Sequence, residues 1–136
     1  MARPQDSAPA EPPPADPPAP KTVAEHVVQR LALWGVRRYY GYPGDGIGGV
    51  VEAITHAAEA GAAELVQVRH EETAAFAACA DVKYGGSPIG ACVVTSGPGA
   101  VHALNGLYDA KLDHVPVVAL VGQSVSSALG TGEVWE

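Results

Sequence analysis

Cysteine and basic residues are both scarce in this chain, and each scarcity excludes a class of protein. Only Cys79 and Cys92 occur among its 136 residues, each on an apolar segment, which leaves no disulfide framework and no Cys-rich zinc site. Eight Lys and Arg stand against fifteen Asp and Glu, a formal net charge of −7, and the basic residues form no cluster. Phosphate backbones and anionic membranes are held mainly by basic side chains, so nucleic-acid and membrane-surface partners are excluded. Long apolar runs are missing as well, none approaching the ~20 residues that cross a bilayer. What remains is a chain of single-domain length, expected to be soluble, cytoplasmic and mildly acidic.

Proline is plentiful but concentrated, eight of the twelve falling within residues 1–20. Proline lacks an amide donor and has a fixed φ, and this stretch offers almost no side chain for a core. Residues 1–20 are therefore expected to form a disordered, partly polyproline-II tail. The tail has neither the apolar stretch of a secretory signal nor the acid-free, Arg-rich pattern of a transit peptide. The folded domain is expected over residues 21–136.

From Lys21 onward helical and strand signals alternate. Thr22 and Glu25 form a capping box ahead of Val23, Val27, Leu31 and Trp34 at helical spacing, ended by Gly35. A short strand is predicted at 36–40, running into the loop Gly41-Tyr42-Pro43-Gly44-Asp45-Gly46. A second helix carries Ile47, Val50, Val51, Ile54 and Ala58 on one stripe and stops near Gly61. A strand at 65–68 precedes a helix over 72–84, so rich in alanine that other backbone must approach it closely. An apolar strand at 89–95 turns through Ser96-Gly97-Pro98-Gly99 into a helix striped by Val101, Leu104, Leu107, Tyr108 and Leu112. A last buried strand covers 115–121. Strands apolar on both faces and separated by helices predict an open, mostly parallel α/β sheet with helices on both faces.

Such sheets bind ligands beyond the carboxyl ends of their strands. Those ends are Tyr42-Pro43-Gly44, Arg69-His70-Glu71, Thr95-Ser96-Gly97-Pro98-Gly99 and Gly122-Gln123, four loops expected to converge. Three constellations lie on them. Gly44-Asp45-Gly46-Ile47-Gly48-Gly49 matches the dinucleotide fingerprint G-x-G-x-x-G, with acidic Glu71 about twenty residues further on. Against it stand the full helix ahead of the first strand, the stiffening Pro43, and a preceding strand, Arg37-Arg38-Tyr39-Tyr40, too polar for the centre of a dinucleotide fold.

In the second constellation Glu72 reads as a helix-start acid favoured by the helix dipole. Glu71 faces an apolar wall, Thr73 to Ala77, which should strip its hydration, raise its pKa and let it hand over a proton near neutrality. His70 and Glu71 are of metal-ligating type, but no third ligand stands at a helpful spacing, so no metal site is assigned. The third constellation, Thr95 to Gly99, is a strand-to-helix turn whose glycines supply positive φ and let a flat ligand lie against backbone. Ser96 lies outside the G-x-S-x-G pattern of a hydrolase nucleophile.

Together the segments GVRRYYGYPGDGI (35–47), LVQVRHEETAAFAACADVKYGG (65–86), CVVTSGPGAVHALNGLYDA (92–110) and DHVPVVALVGQ (113–123) resemble the N-terminal, pyrimidine-binding domain of thiamine-diphosphate-dependent enzymes. The resemblance runs from about Thr22 to Gln123 and points to the pyruvate oxidase and acetolactate synthase family, with His102 and His114 closer to the pyruvate oxidases. It implies that Glu71 faces N1′ of the cofactor's aminopyrimidine and shares a proton there. The imino tautomer this favours removes the C2 proton of the thiazolium, which then attacks a small 2-oxo acid such as pyruvate. Pro43, Gly44, Ser96, Pro98 and Asn105 match positions around the pyrimidine edge.

The same resemblance implies that Mg²⁺, the diphosphate and FAD are held by further domains absent from this sequence. Gly44-Asp45-Gly46 spells the family's later GDG motif in the wrong loop, with Asn105 too distant to complete it. The segment 130–136 stands where relatives often carry Phe-Gln-Glu, so the chain is expected to be a truncated or separately encoded first domain. Its partner is expected to be a second copy, as a dimer or higher oligomer, or a chain carrying the diphosphate-binding domain. Two other expectations stand beside this one: a Rossmann-type dinucleotide-binding domain, and a non-catalytic remnant.

Overall fold

The computed structural model describes residues 19–132. The tail expected at 1–20 lies, apart from Ala19 and Pro20, outside the described residues, as do residues 133–136 at the other end. The first helix, α1 (Val23–Leu33), starts where the capping box places it. The Thr22 hydroxyl accepts from Glu25 N–H at 3.1 Å and the Glu25 carboxylate accepts from Thr22 N–H at 3.2 Å. The helix stops at Gly35, whose φ of +98° suits glycine and whose missing side chain leaves room for Pro88, 2.5 Å from where a Cβ would sit.

Four strands and three further helices follow: β1 (Arg38–Tyr42), α2 (Gly48–Glu59), β2 (Glu64–Gln67), α3 (Glu71–Lys83), β3 (Gly90–Val94), α4 (Pro98–Leu112) and β4 (Val117–Val121). One-turn 3-10 helices stand at Asp45–Ile47 and Ser126–Ala128. All three strand pairings are parallel, in the order β2-β1-β3-β4. The predicted open parallel α/β sheet is thus the observed one.

The core has two halves divided by the sheet. Val28, Leu31, Tyr39, Ile54, Ala91 and Val93 pack under α1 and α2. Ala74, Ala75, Ala78, Cys92, Val94 and Ala103 pack under α3 and α4. Successive β3 residues point to opposite halves, and all five are buried, which is why that strand reads as an unbroken apolar run.

Two features differ from expectation. β1 begins at Arg38 rather than at Val36 and extends through Tyr42, because its ladders with β2 and β3 continue through Gly41 and Tyr42. It is also central in the sheet, despite its polar start. Arg38 pairs with the buried Asp81 of α3 at 2.5 Å, and Ser87 Oγ donates to the same carboxylate at 2.8 Å, so the charge on the strand is neutralised where it enters the fold.

On α4 the large apolar stripe faces outward. Val101, Leu104, Tyr108 and Leu112 are exposed, while Gly99, Ala103, Gly106 and Ala110 are buried. The close approach predicted for the alanine-rich helix is made here: a Cβ on Gly106 would lie 2.6 Å from both Ala75 Cβ and Phe76 N. Small residues on both helices set the α3–α4 spacing.

Candidate functional site

The strand order runs outward in opposite directions from β1 and β3, so the switch point, where open α/β sheets hold ligands, lies between their carboxyl ends. Close packing shows that the four predicted loops converge there. A Cβ on Gly44 would come 3.0 Å from Thr95 Cβ, one on Gly46 3.0 Å from Ser96 Oγ, and one on Gly122 2.5 Å from the Gly46 carbonyl oxygen. A Cβ on Gly99 would lie 2.9 Å from Thr95 Cγ2 and 3.3 Å from Glu71 Oε1. The turn 95–99 therefore rests on the Glu71 carboxyl group.

Glu71 opens α3 and is 8% exposed. His70 caps the helix in extended conformation, its Nδ1 accepting from Glu72 N–H at 3.3 Å. His102, on the second turn of α4, brings Nδ1 to 2.9 Å from Glu71 Oε2, and its ring stacks on that of His70 with centroids 4.5 Å apart. Burial pushes the Glu71 pKa up, as the apolar wall predicted, and is the largest influence. The hydrogen bond with His102, another to its own backbone N–H, and the charges of His102 and His70 together outweigh burial and leave the carboxyl below its ordinary value. The expected net rise is thus corrected by a partner on another helix.

The remaining predicted residues are placed unequally. Pro43, Gly44 and Ser96 are half-buried where the loops meet, and Pro98 is exposed on the first turn of α4. Asn105 is exposed and its amide donates to Glu72 Oε2 at 3.3 Å, so it reaches the neighbour of Glu71 rather than Glu71 itself. Glu72, read as a helix-start acid alone, also ties α3 to α4 through that contact.

The residue missed as part of the site is His102. A ring nitrogen each from His70 and His102 and a carboxylate oxygen of Glu71 lie within 4.8 Å of one another, so a third group of ligating type stands beside the two read in the sequence. Its one sequence signal was position: a histidine one turn past the Ser96-Gly97-Pro98-Gly99 turn.

The dinucleotide fingerprint does not behave as one. Asp45–Ile47 forms a 3-10 turn between β1 and α2, and Gly44 (φ −144°) and Gly48 (φ −51°) adopt conformations open to any residue. A Cβ on Gly49 would meet nothing within 4 Å, whereas the fingerprint's last glycine serves close helix–strand packing. β3 also pairs with β1, a place that the Rossmann order gives to the fourth strand. Clefts of about 550 Å³, lined by Tyr42, Gln67, Val68 and Arg69, and about 430 Å³, bordered by Asp45–Gly49 and Val121–Gln123, open near these loops.

With this geometry in view, comparison with known proteins is specific. The family described as "Thiamine pyrophosphate enzyme, N-terminal TPP binding domain" matches residues 21–135. YdaP of Bacillus subtilis, named as a thiamine pyrophosphate-containing protein, is 47% identical over 82% of this chain and 19% of its own length. Pyruvate oxidase of Lactiplantibacillus plantarum is 50% identical over 71% of this chain and 16% of its own. The large subunit of acetolactate synthase isozyme 2 of Escherichia coli is 42% identical over 79% and 19%. The chain thus spans less than a fifth of the length of these relatives.

Proposed function

The chain belongs to the thiamine pyrophosphate enzymes, through their N-terminal TPP binding domain, and from that premise we propose that Glu71 is the carboxyl group facing N1′ of the cofactor's aminopyrimidine. The enzyme of which it forms part acts on a small 2-oxo acid such as pyruvate, as the names of its relatives suggest. The observation that carries this proposal is a buried carboxyl group at the switch point of a parallel sheet, with glycine packed against it. When bound, thiamine diphosphate supplies an acidic thiazolium carbon and an electron sink for decarboxylation.

The residues present fit the aminopyrimidine half. Glu71 holds a proton at N1′ and releases it, and its shielding from water strengthens that interaction. His102 fixes Oε2 and so orients the carboxyl group. Gly99 keeps side-chain bulk away from Oε1, Pro43, Gly44, Ser96 and Pro98 border the same space, and Asn105 braces Glu72 at its edge. For the charged half the described residues offer little. Their one cluster of potential metal ligands is His70, Glu71 and His102, which is not the all-oxygen set that Mg²⁺ prefers. Diphosphate, Mg²⁺ and FAD are therefore assigned to domains beyond the described residues or on a partner chain. The exposed stripe of α4 supports a partner surface, for a second copy or for a chain carrying the diphosphate-binding domain. No helix among the described residues is long and apolar enough to cross a membrane.

The test is a contrast of neighbours in a chain completed with the diphosphate-binding domain. Glu71→Gln keeps the size of the side chain and a hydrogen bond to N1′ but not the exchangeable proton, so C2 proton–deuterium exchange should slow by roughly 10²–10⁴. Glu72→Gln should exchange near the wild-type rate. Equal, unaltered rates in both variants would reduce Glu71 to a helix-capping acid.

A further inference from the structure

We propose that His70, Glu71 and His102 bind a divalent ion of the zinc class when no pyrimidine ring stands against Glu71. This goes beyond the cofactor reading and needs neither thiamine diphosphate nor a catalytic role for Glu71. Two imidazoles and one carboxylate are a donor set that suits Zn²⁺ and disfavours Mg²⁺ or Ca²⁺, which take oxygen ligands.

The distances are close to what an ion requires. Ligands bound at about 2.0–2.2 Å in a tetrahedron stand about 3.4 Å apart. Here His102 and Glu71 are already at 2.9 Å, and all three donor atoms lie within 4.8 Å of one another. An ion takes the place of the hydrogen bond between His102 and Glu71, and His70 closes the remaining gap. A ring nitrogen binds an ion in the plane of its ring, so His70 must swing out of its stack on His102, a movement open to it because both rings lie on the exposed side and the contact between His70 Nδ1 and Glu72 N–H is long, at 3.3 Å.

The site is also asymmetric in a useful way. Glu71 is fixed in the floor by the turn 95–99 while the two rings form a lid open to water, so the ion keeps a coordination position for a water molecule. The positive end of α3 opposes a cation there, and the carboxylates of Glu71 and Glu72 offset it. Because Glu71 is shared, an ion in this place and an aminopyrimidine exclude each other.

The experiment uses the 136-residue chain after removal of metal by a chelator, titrated with Zn²⁺ by calorimetry and with Co²⁺ by visible absorption. One ion per chain is expected, with the intense absorption of tetrahedral cobalt. His70→Asn, which retains a helix-capping side chain, and His102→Gln should each weaken binding by about tenfold or more. His56→Gln, on α2, should bind as wild type. Circular dichroism of each variant establishes that it is folded. Absence of saturable binding by the wild type, unaltered binding by His70→Asn and His102→Gln, or an equal loss in His56→Gln would each overturn the proposal. Since no cofactor is present, none of these outcomes bears on the proton role of Glu71.

Discussion

Gly106→Ala adds a single methyl group at the tightest point of the α3–α4 seam. In an isolated helix that change is favourable by about 1 kcal/mol, because alanine restricts the unfolded chain and glycine does not. Here the new Cβ would lie 2.6 Å from Ala75 Cβ and from Phe76 N, and 2.8 Å from the Ala75 carbonyl carbon. Ordinary contacts at a Cβ begin at 3.4 Å, so the helices must separate by nearly an ångström. The obstructing atoms are backbone and a methyl group, which cannot rotate away. Overpacking of this kind costs about 1–3 kcal/mol, and separating the seam also lowers the density of the Ala74, Ala75, Ala78 and Ala103 cluster.

Set against the helix-propensity gain, the net expectation is a loss of up to about 2 kcal/mol for Gly106→Ala, and more for Gly106→Val. At roughly 4 °C per kcal/mol for a domain of this size, the melting midpoint of Gly106→Ala should fall by up to about 8 °C, and that of Gly106→Val further. Gly49→Ala is the matched control. It lies in the first turn of α2 with nothing within 4 Å of its Cβ, so its midpoint should stay level or rise. Thermal unfolding followed by circular dichroism reads both. A Gly106→Ala protein melting above wild type, or a Gly106→Val protein melting level with it, with an unaltered spectrum and oligomeric state, would refute the close α3–α4 contact and with it the placement of His102 beside Glu71.

Other outcomes follow from single contacts. Tyr39 is fully buried and its hydroxyl has no hydrogen-bond partner, so Tyr39→Phe should raise stability by about 1 kcal/mol; a lower melting midpoint would reveal a bound water. Arg38→Met strands the buried Asp81 carboxylate and should cost about 2 kcal/mol, reduced from the fully buried case because the Arg38 side chain is 38% exposed. The Lys83 ammonium, aided by the Cys79 thiol, holds the Asp109 carboxyl below its ordinary 3.8. That contribution is present above pH 3.8 and is lost as the pH falls through the lowered value in the folded state. Asp109→Asn should therefore flatten the acid limb of the melting profile, and an unaltered limb counts against the Lys83 contact. The exposed Val101, Leu104, Tyr108 and Leu112 should drive self-association at micromolar concentration, and a monodisperse monomer by ultracentrifugation would argue otherwise.

Legibility in the sequence followed the range of the interactions. The α1 capping box, the alternation of helix and strand, and the buried β3 run depend on residues near one another in the chain, and they read directly. Glu71 was legible because its loop ends a strand and its surroundings match a known family. His102 was not, since its contact with Glu71 depends on how α4 crosses α3, and that crossing is set by Gly106 against Ala75. The polar start of β1 gave no sign that the strand lies inside the sheet, because the charge of Arg38 is met by Asp81, far along the chain. The α4 stripe shows a further limit: periodicity reveals that large apolar residues share a side, but not that the small residues on the opposite side are the ones packed against α3.

The positions of Cys79 and Cys92 give the molecule a clock of its own. They are its two cysteines, and both are buried. Cys79 lies in the α3–α4 seam with its thiol donating to Asp109 at 3.3 Å, and Cys92 lies in β3 with its pKa pushed up to about 11 by burial. Neither reacts with a thiol reagent until it meets water, so each labelling rate times a different opening. Cys79 is uncovered when α3 and α4 part, an event local to their seam. Cys92 is uncovered only when the centre of the sheet comes apart. Wherever the first rate exceeds the second, the α3–α4 seam breathes independently of the fold, and the chain reports that motion without any added probe.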